Sequence, residues 1–191
     1  MPPLAPTTII PGSLARNVQP TLIARDGLVL RPWRGDDAPV VRSVYGDAEI
    51  RRWHVRSVES DAEAAAIIAG WQAGWSDESR AEWAVTDAAG VVLARAALKT
   101  VDLRDGDAEV AYWTVPASRG RGAAPRAVEA VSSWAFATGF RRLHLEHSTR
   151  NTASCRVAAK SGFELEGTLR GSARHADGWH DMHVHGRLAG P

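Results

Sequence analysis

The stretch Arg119-Gly120-Arg121-Gly122-Ala123-Ala124 stands between a strand-like run, 108–115, and a helix-like run, 125–131. Glycines allow a backbone to approach a phosphate closely, and the first N–H groups of a helix point outward without partners. The helix dipole favours negative charge there, and arginine side chains suit phosphate. The sequence therefore predicts an anion-binding turn, although a tight strand-to-helix connection with incidental arginines explains these six residues equally well.

The spacing of this turn differs from that of the common nucleotide-binding loops. A P-loop requires Gly-Lys-Ser/Thr, which does not follow Gly122, and a dinucleotide fingerprint requires three glycines in a fixed frame. The order Arg-x-x-Gly-x-Ala instead resembles the acyl-CoA pyrophosphate motif of the GNAT superfamily of N-acetyltransferases, Gln/Arg-x-x-Gly-x-Gly/Ala.

A second signature lies about thirty residues downstream. Asn151, Ser154, Lys160 and Gly162-Phe163 follow the pattern Asn-x-x-Ser-x-x-x-x-x-Lys-x-Gly-Phe. This pattern resembles the RimJ/RimL branch of the superfamily, and the segments 164–170 and 181–188 are similar to the last strands of that branch. The resemblance runs from roughly Leu28 to Leu188 with all elements in family order.

The composition is that of one globular domain without bulk charge. The chain has 191 residues, 45% hydrophobic and 24% charged, with a net charge of +1, which gives no support for nucleic-acid binding. A single cysteine, Cys155, excludes an intrachain disulfide framework. The N-terminus lacks a signal-peptide pattern, and no apolar run approaches the ~20 residues that span a membrane. We therefore expect a cytoplasmic protein with no membrane partner.

The pattern of elements predicts an α+β fold in a single domain. We expect a GNAT-like mixed, mostly antiparallel twisted sheet flanked by helices, with a meander first and a βαβ crossover after residue 115. Residues 1–26 carry half of the prolines and are predicted to form an N-terminal arm, partly disordered, before a domain over 27–191.

The resemblance implies acetyl-CoA as cosubstrate and a set of residues that hold it. The pyrophosphate is expected on the 119–124 turn, and the pantetheine arm on backbone groups of the preceding strand, which must splay from the strand around 143–147. The implied cofactor-binding residues are Tyr112, Trp113, Thr114, Val115, Arg119, Gly120, Arg121, Gly122, Ala123, Ala124, Asn151, Ser154 and Lys160.

The implied catalytic residues are Ser154 and Glu109. Ser154 is carried over as proton donor to the leaving thiolate, although a first-turn helical serine also bonds to its own backbone. Glu109 occupies a frame where several superfamily members place a carboxylate base, although an ion pair with an arginine on the sheet explains it as well. The acid that RimL-type enzymes carry after the Leu-Arg pair is absent from 171–175. His175, His54 and Asp177 are possible substitutes.

The acceptor site is expected among segments 50–58, 72–78 and 171–180, with Trp53, His54, Trp75 and His175 in its wall. The branch resemblance favours a protein N-terminal α-amino group as acceptor. A small-molecule amine or aminoglycoside stays an alternative, as does a non-catalytic CoA-binding protein or an interaction subunit. The sequence leaves open whether the protein forms a homodimer.

No metal site is predicted. His183 and His185 share one face of a strand, and His175 and His180 precede them, but no cysteine lies near them in the sequence. Ordinary strand histidines are favoured. Cys155 lacks the histidine and acid order of a thiol hydrolase and is not predicted to be a nucleophile.

Overall fold

The computed structural model describes residues 5–190, which form one eight-stranded sheet with helices on both faces. The strands are β1 (Leu22–Ile23), β2 (Val29–Pro32), β3 (Ala81–Thr86), β4 (Val92–Asp102), β5 (Asp107–Thr114), β6 (Arg142–Ser148), β7 (Glu164–His175) and β8 (Gly178–Leu188). The α-helices are α1 (Ala38–Gly46), α2 (Ala48–His54), α3 (Asp61–Ser76), α4 (Ala123–Thr138) and α5 (Thr152–Lys160). Within residues 5–190, none of these helices combines the length and apolar character needed to cross a bilayer.

The strand order is β1-β2-β3-β4-β5-β6-β8-β7. Every neighbouring pair is antiparallel except β5 and β6, which the crossover helix α4 connects. The predicted α+β class, with a meander followed by a βαβ unit, is confirmed.

The sheet buries both faces because side chains alternate across it. Trp83 and Val85 pack into one core cluster with the apolar face of α4, whereas Ala84 between them packs into a second cluster with α1 and α3. Trp113 lies in that second cluster, with its ring centroid 5.7 Å from Trp33. The sheet is therefore fixed from both sides around β5.

The pairing between β5 and β6 is short. It covers residues 107–109 against 142–144 and ends at Glu109 opposite His144. The outer side of β6 pairs with β8 from Arg142 to Ser148, and β5 pairs with β4 up to Thr114. The two strands therefore diverge beyond Glu109, as acetyl-CoA binding was expected to require.

Sequence patterns missed helix α2, which lies over this divergence. Its N-cap is Asp47, whose Oδ1 accepts a hydrogen bond from the Ile50 N–H at 3.0 Å. It ends after seven residues where Val55 adopts a φ of 49°. Seven residues are too few to show an apolar period.

The segment predicted as an N-terminal arm packs on the domain where the structure describes it. Ile9 and Leu14 are buried in the first core cluster, and the Glu78 carboxylate accepts hydrogen bonds from the Leu14 and Ala15 N–H groups. Strand β1 pairs with β2. The boundary between residues 26 and 27 stays a prediction, but residues 5–26 belong to the packed structure.

A buried ion pair joins β3 to β4. Arg95 donates to both oxygens of Glu82 at 2.6 and 2.8 Å, and both side chains are over nine-tenths buried. The guanidinium also stacks over Trp71, 5.1 Å from the ring centroid. Removing one partner of such a pair leaves an uncompensated charge in the core.

We predict that Glu82→Ala lowers the free energy of unfolding by about 3–5 kcal/mol, because Arg95 would stay buried without its carboxylate. Urea unfolding followed by circular dichroism measures this loss. The matched control is Glu129→Ala, which removes the exposed partner of Arg25 and should cost about 1 kcal/mol or less. Equal effects of the two substitutions would contradict the prediction.

Candidate active site

Two cavities meet where β5 and β6 diverge. One has a volume of about 410 Å³ and runs along the end of β5 to the start of α4. The other has a volume of about 590 Å³ and lies between the β5–β6 gap, α2 and β7. The residues that line both are Trp53, His54, Tyr112, Asn151 and Ser154. A ligand in the smaller cavity would thus present one end to the larger.

The smaller cavity contains the predicted anion turn. Gly120 and Gly122 have φ of 76° and 72°, which β-carbon-bearing residues seldom adopt, and Gly122 is the N-cap of α4. The N–H groups of Ala123 and Ala124 begin this 16-residue helix and have no intrahelical acceptors. Gly120, Gly122, Ala123 and Ala124 all line the cavity.

The arginines of the turn are placed differently from the expectation. Arg119 lines the cavity, but its guanidinium contacts Asp47 at 2.6 Å and Glu49 at 2.8 Å, and it lowers the pKa of Asp47. Arg121 is exposed and is not among the residues that line the cavity in the described chain. Arg119 therefore holds α2 in place, and Arg121 is not brought to the site.

The cavity has two other cationic side chains, both from α5. Lys160 was predicted, and Arg156 was missed. Arg156 lies one helical turn before Lys160, so both project from the same face of α5. That spacing is the signal by which Arg156 could have been found.

Strand β5 contributes three of the four residues expected to hold the pantetheine arm. Tyr112, Trp113 and Thr114 line the smaller cavity, whereas the Val115 N–H donates to the Leu93 carbonyl at 2.9 Å. Because that donor is used, Val115 has no free N–H for a ligand.

Ser154 lies at the junction of the two cavities. Its N–H donates to the side chain of Asn151, which caps α5, and the Tyr112 hydroxyl donates to Ser154 Oγ at 2.9 Å. Burial raises the pKa of Tyr112 to about 12, so the phenol stays protonated. Ser154 Oγ accepts this bond, and its own hydrogen is therefore free to donate into the cavity.

Glu109 lies at the point where the β5–β6 pairing ends, and it lines the larger cavity. Its carboxylate is 2.7 Å from the Lys99 ammonium on β4. The ion pair considered for Glu109 therefore exists, with a lysine in place of the expected arginine.

Three of the four predicted acceptor-site residues line the larger cavity: Trp53, His54 and His175. Burial, followed by the charges of Arg95 and Lys99, lowers the pKa of His54 to about 4, so this imidazole is neutral near pH 7. His175 Nδ1 donates to the Arg52 carbonyl at 3.0 Å, and the His175 ring stacks on that of His180.

Trp75 is not brought to this site in the described chain. Its indole is buried in the first core cluster, and its Nε1 donates to the Asn17 carbonyl at 2.9 Å. One turn earlier on α3, Trp71 lines the larger cavity instead. Helical spacing alone could not decide whether Trp71 or Trp75 lines the cavity, because the N-terminal segment that covers Trp75 is distant in sequence.

Sequence patterns also missed a hydrogen-bonded chain that leads from the larger cavity to the surface. Ser148 lines the cavity, its Oγ is 2.8 Å from His180 Nδ1, and His180 Nε2 is 2.7 Å from the Asp177 carboxylate. His180 is buried and Asp177 is half-exposed. Such a chain can pass a proton out of the cavity.

No cysteine lies near His183 and His185 in the sequence, but the fold brings one to them. The first turn of α5 brings Cys155 Sγ within 3.7 Å of His183 Nδ1 and 3.9 Å of His185 Nε2. His147 on β6 completes the group, with its Nε2 3.2 Å from His185 Nε2. Burial lowers the pKa of His147 and of His185.

The comparisons with known proteins agree with this geometry. The chain matches the family described as acetyltransferase (GNAT) domain over residues 27–164. It is 25% identical over 152 residues to the Bacillus subtilis (strain 168) protein named uncharacterized N-acetyltransferase YoaA, covering 78% of this chain and 86% of that protein.

Solved structures share the fold. RimL, the ribosomal L7/L12 alpha-N-protein acetyltransferase, in complex with coenzyme A superposes with a TM-score of 0.81 at 17% identity, covering 88% of this chain and 98% of that chain. Mycobacterium smegmatis RimJ, in complex with CoA-disulfide, superposes with a TM-score of 0.81 at 21% identity, covering 95% of this chain and 90% of that chain.

The chain belongs to the GNAT acetyltransferase family. It is an acyltransferase that uses acetyl-CoA, and the expected family resemblance is confirmed.

Proposed function

We propose that this protein acetylates a primary amine, with a protein N-terminal α-amino group as the acceptor. The observation that carries the proposal is the junction of the two cavities at Tyr112, Asn151 and Ser154. There a thioester in the smaller cavity would meet an amine in the larger one. The location in the cytoplasm stays a prediction.

The smaller cavity would hold acetyl-CoA. Its pyrophosphate would lie on the N–H groups of Gly122, Ala123 and Ala124, with Arg156 and Lys160 as cationic neighbours. The pantetheine arm would follow the unpaired edge of β5 past Tyr112 to Thr114. Backbone N–H and C=O groups at an open strand edge can bind an extended ligand.

Residues at the junction would move the protons of the reaction. Ser154 would donate its hydroxyl hydrogen to the departing sulfur, while Tyr112 donates to the Ser154 oxygen. The proton released by the attacking nitrogen would reach Glu109 through water, and the chain from Ser148 to Asp177 offers a second path to solvent.

Charge around the larger cavity favours an acceptor that carries acidic groups. It is lined by more cationic than acidic side chains. The five cationic residues are Arg56, Arg80, Arg95, Lys99 and Arg174, and the two acidic residues are Glu109 and Glu146. Arg80, Arg95 and Lys99 are paired with carboxylates, whereas Arg56 and Arg174 have no ion pair in the described chain. Polyamines and aminoglycosides carry several positive charges and would be repelled, but an acidic N-terminal peptide would be attracted.

We predict that Gly122→Val abolishes acetyl-CoA binding while the fold survives. The branched side chain would force the φ of 72° away from its present value and turn the N–H groups of α4 from the cavity. Isothermal titration with acetyl-CoA measures the loss.

The control is Gly90→Val, which places the same strain at a φ of 83° in the remote β3–β4 turn. It should lower stability without affecting binding. An unchanged affinity of the Gly122 variant for acetyl-CoA would contradict the proposed position of the pyrophosphate.

We predict that Ser154→Ala lowers kcat by roughly ten- to a thousandfold with little change in the Kd of acetyl-CoA, because the hydroxyl acts on charge that develops at the sulfur. Free-thiol release measures turnover. The control is Ser132→Ala, a buried serine whose hydroxyl donates to the Val128 carbonyl within α4. If both variants turn over at the parent rate, Ser154 is only a helix residue.

The acceptor is tested with short peptides that carry free or blocked N-termini and acidic or neutral residues, alongside polyamines and aminoglycosides. We expect acetylation of free N-termini, fastest for acidic peptides, and a smaller preference for them in Arg174→Ala because one cation is lost. Acetylation confined to the small amines would overturn the peptide proposal and leave the acetyltransferase itself in place. Acetyl-CoA binding without transfer to any amine would favour the non-catalytic alternative.

A further inference from the structure

The geometry points to a transition-metal site, of the kind that binds Zn²⁺, formed by His147, Cys155, His183 and His185. One ligand atom from each of the four residues lies within 4.8 Å of all the others. The residues come from β6, α5 and β8, so that only the folded chain brings them together. No part of the acetyl-transfer chemistry requires such a group.

The donor set suits zinc. Imidazole nitrogen and thiolate sulfur are the ligands of structural zinc sites, which are four-coordinate and closed. Bond lengths of about 2.0–2.1 Å to nitrogen and about 2.3 Å to sulfur imply nitrogen–nitrogen separations near 3.3 Å and nitrogen–sulfur separations near 3.6 Å in a tetrahedron.

Three of the six separations in the protein are close to those values, and all six are within 4.8 Å. His147 Nε2 and His185 Nε2 are 3.2 Å apart, and Cys155 Sγ is 3.7 Å from His183 Nδ1 and 3.9 Å from His185 Nε2. The rings of His147 and His185 have centroids 5.1 Å apart, so they converge at their Nε2 atoms. Small rotations of side chains would complete the tetrahedron.

The hydrogen bonds of His147 orient a lone pair into the cluster. The Ser148 carbonyl is 2.8 Å from His147 Nδ1 and can only accept, so Nδ1 carries the hydrogen and Nε2 carries the lone pair. A backbone carbonyl on the other ring nitrogen is the usual support of a histidine metal ligand.

His185 leaves a buried polar atom without a partner. Its Nδ1 has no hydrogen-bond partner among the described residues. If His185 Nε2 donates to His147, that Nδ1 is a buried acceptor without a donor. If Nδ1 carries the hydrogen, two Nε2 lone pairs face each other at 3.2 Å. A cation between the two nitrogens removes the conflict between the lone pairs, while Nδ1 lacks a hydrogen-bond partner among the described residues in either tautomer.

Four protein ligands leave no open position, so we assign the metal a structural role. It would tie the first turn of α5 to β6 and β8, directly beside Ser154. Binding would form the Zn–S bond and release the proton of the Cys155 thiol to solvent, without any oxidant or reductant.

The test uses the full chain after chelator treatment, with Zn²⁺ and Co²⁺ as probes and without acetyl-CoA, so its outcome is independent of acetyl transfer. We expect one metal ion per chain by elemental analysis and, with Co²⁺, a thiolate charge-transfer band with strong visible bands. At free Zn²⁺ about a hundredfold above Kd, the Tm should rise by roughly 5–10 °C.

Cys155 is the only cysteine in the chain, so an alkylation assay reports on this site alone. Zn²⁺ should slow its modification at least tenfold, because the metal occupies the sulfur lone pair. Cys155→Ser should remove the charge-transfer band and weaken Zn²⁺ binding at least tenfold. His183→Gln, at a half-buried position, should also weaken binding and serves if the cysteine variant does not fold.

The matched control is His144→Asn, which removes a histidine of β6 that contacts Asp107 outside the cluster. It should bind Zn²⁺ as the parent does. An alkylation rate unaffected by Zn²⁺, the absence of stoichiometric metal, or equal affinity in Cys155→Ser and the parent would each overturn the proposal.

Discussion

The early end of the β5–β6 pairing is the constraint on which the site depends. Each of these strands is held along its other side, β5 by β4 and β6 by β8, so the gap beyond Glu109 cannot close by a slip of register. The backbone groups of β5 that face the gap lack a strand partner, and buried backbone groups without partners are costly. An extended ligand that supplies those bonds therefore fits the gap, and both cavities open from it.

Helix α5 concentrates several roles in one turn. Asn151 caps it, Ser154 faces the junction of the cavities, and Cys155 faces the histidines of β6 and β8. Consecutive residues of a helix point about 100° apart, which allows neighbours to serve two different sites. Any tie between Cys155 and the sheet would also fix the position of Ser154.

Several charged side chains at the site are paired with one another, so they stabilise the elements around the cavities and are not free to bind a ligand. Arg119 binds the two carboxylates at the start of α2, Lys99 binds Glu109, and Arg95 binds Glu82 beneath Trp71. Arg80 also contacts Glu82, so Arg56 and Arg174 are the arginines that line the larger cavity without a carboxylate partner in the described chain. The electrostatic preference of the cavity therefore depends on which cations are already neutralised, and not on the net charge of +1.

The sequence by itself determined the meander, the crossover, the glycine turn and the capped helix from Asn151, because each depends on local spacing or on local backbone preferences. Through two motifs with fixed spacing it also predicted that Ser154 and the residues of the turn bind the cofactor. The structure places Ser154 and most of the turn at one cavity, with Arg121 outside its lining. Only the tertiary structure decided that Trp71 and not Trp75 faces the cavity, that Arg119 is held by α2, that Lys99 pairs with Glu109, and that Cys155 meets three histidines. These contacts join residues that are distant along the chain, and they depend on register and on which face of a helix is covered. A pattern of neighbouring residues carries no information about either.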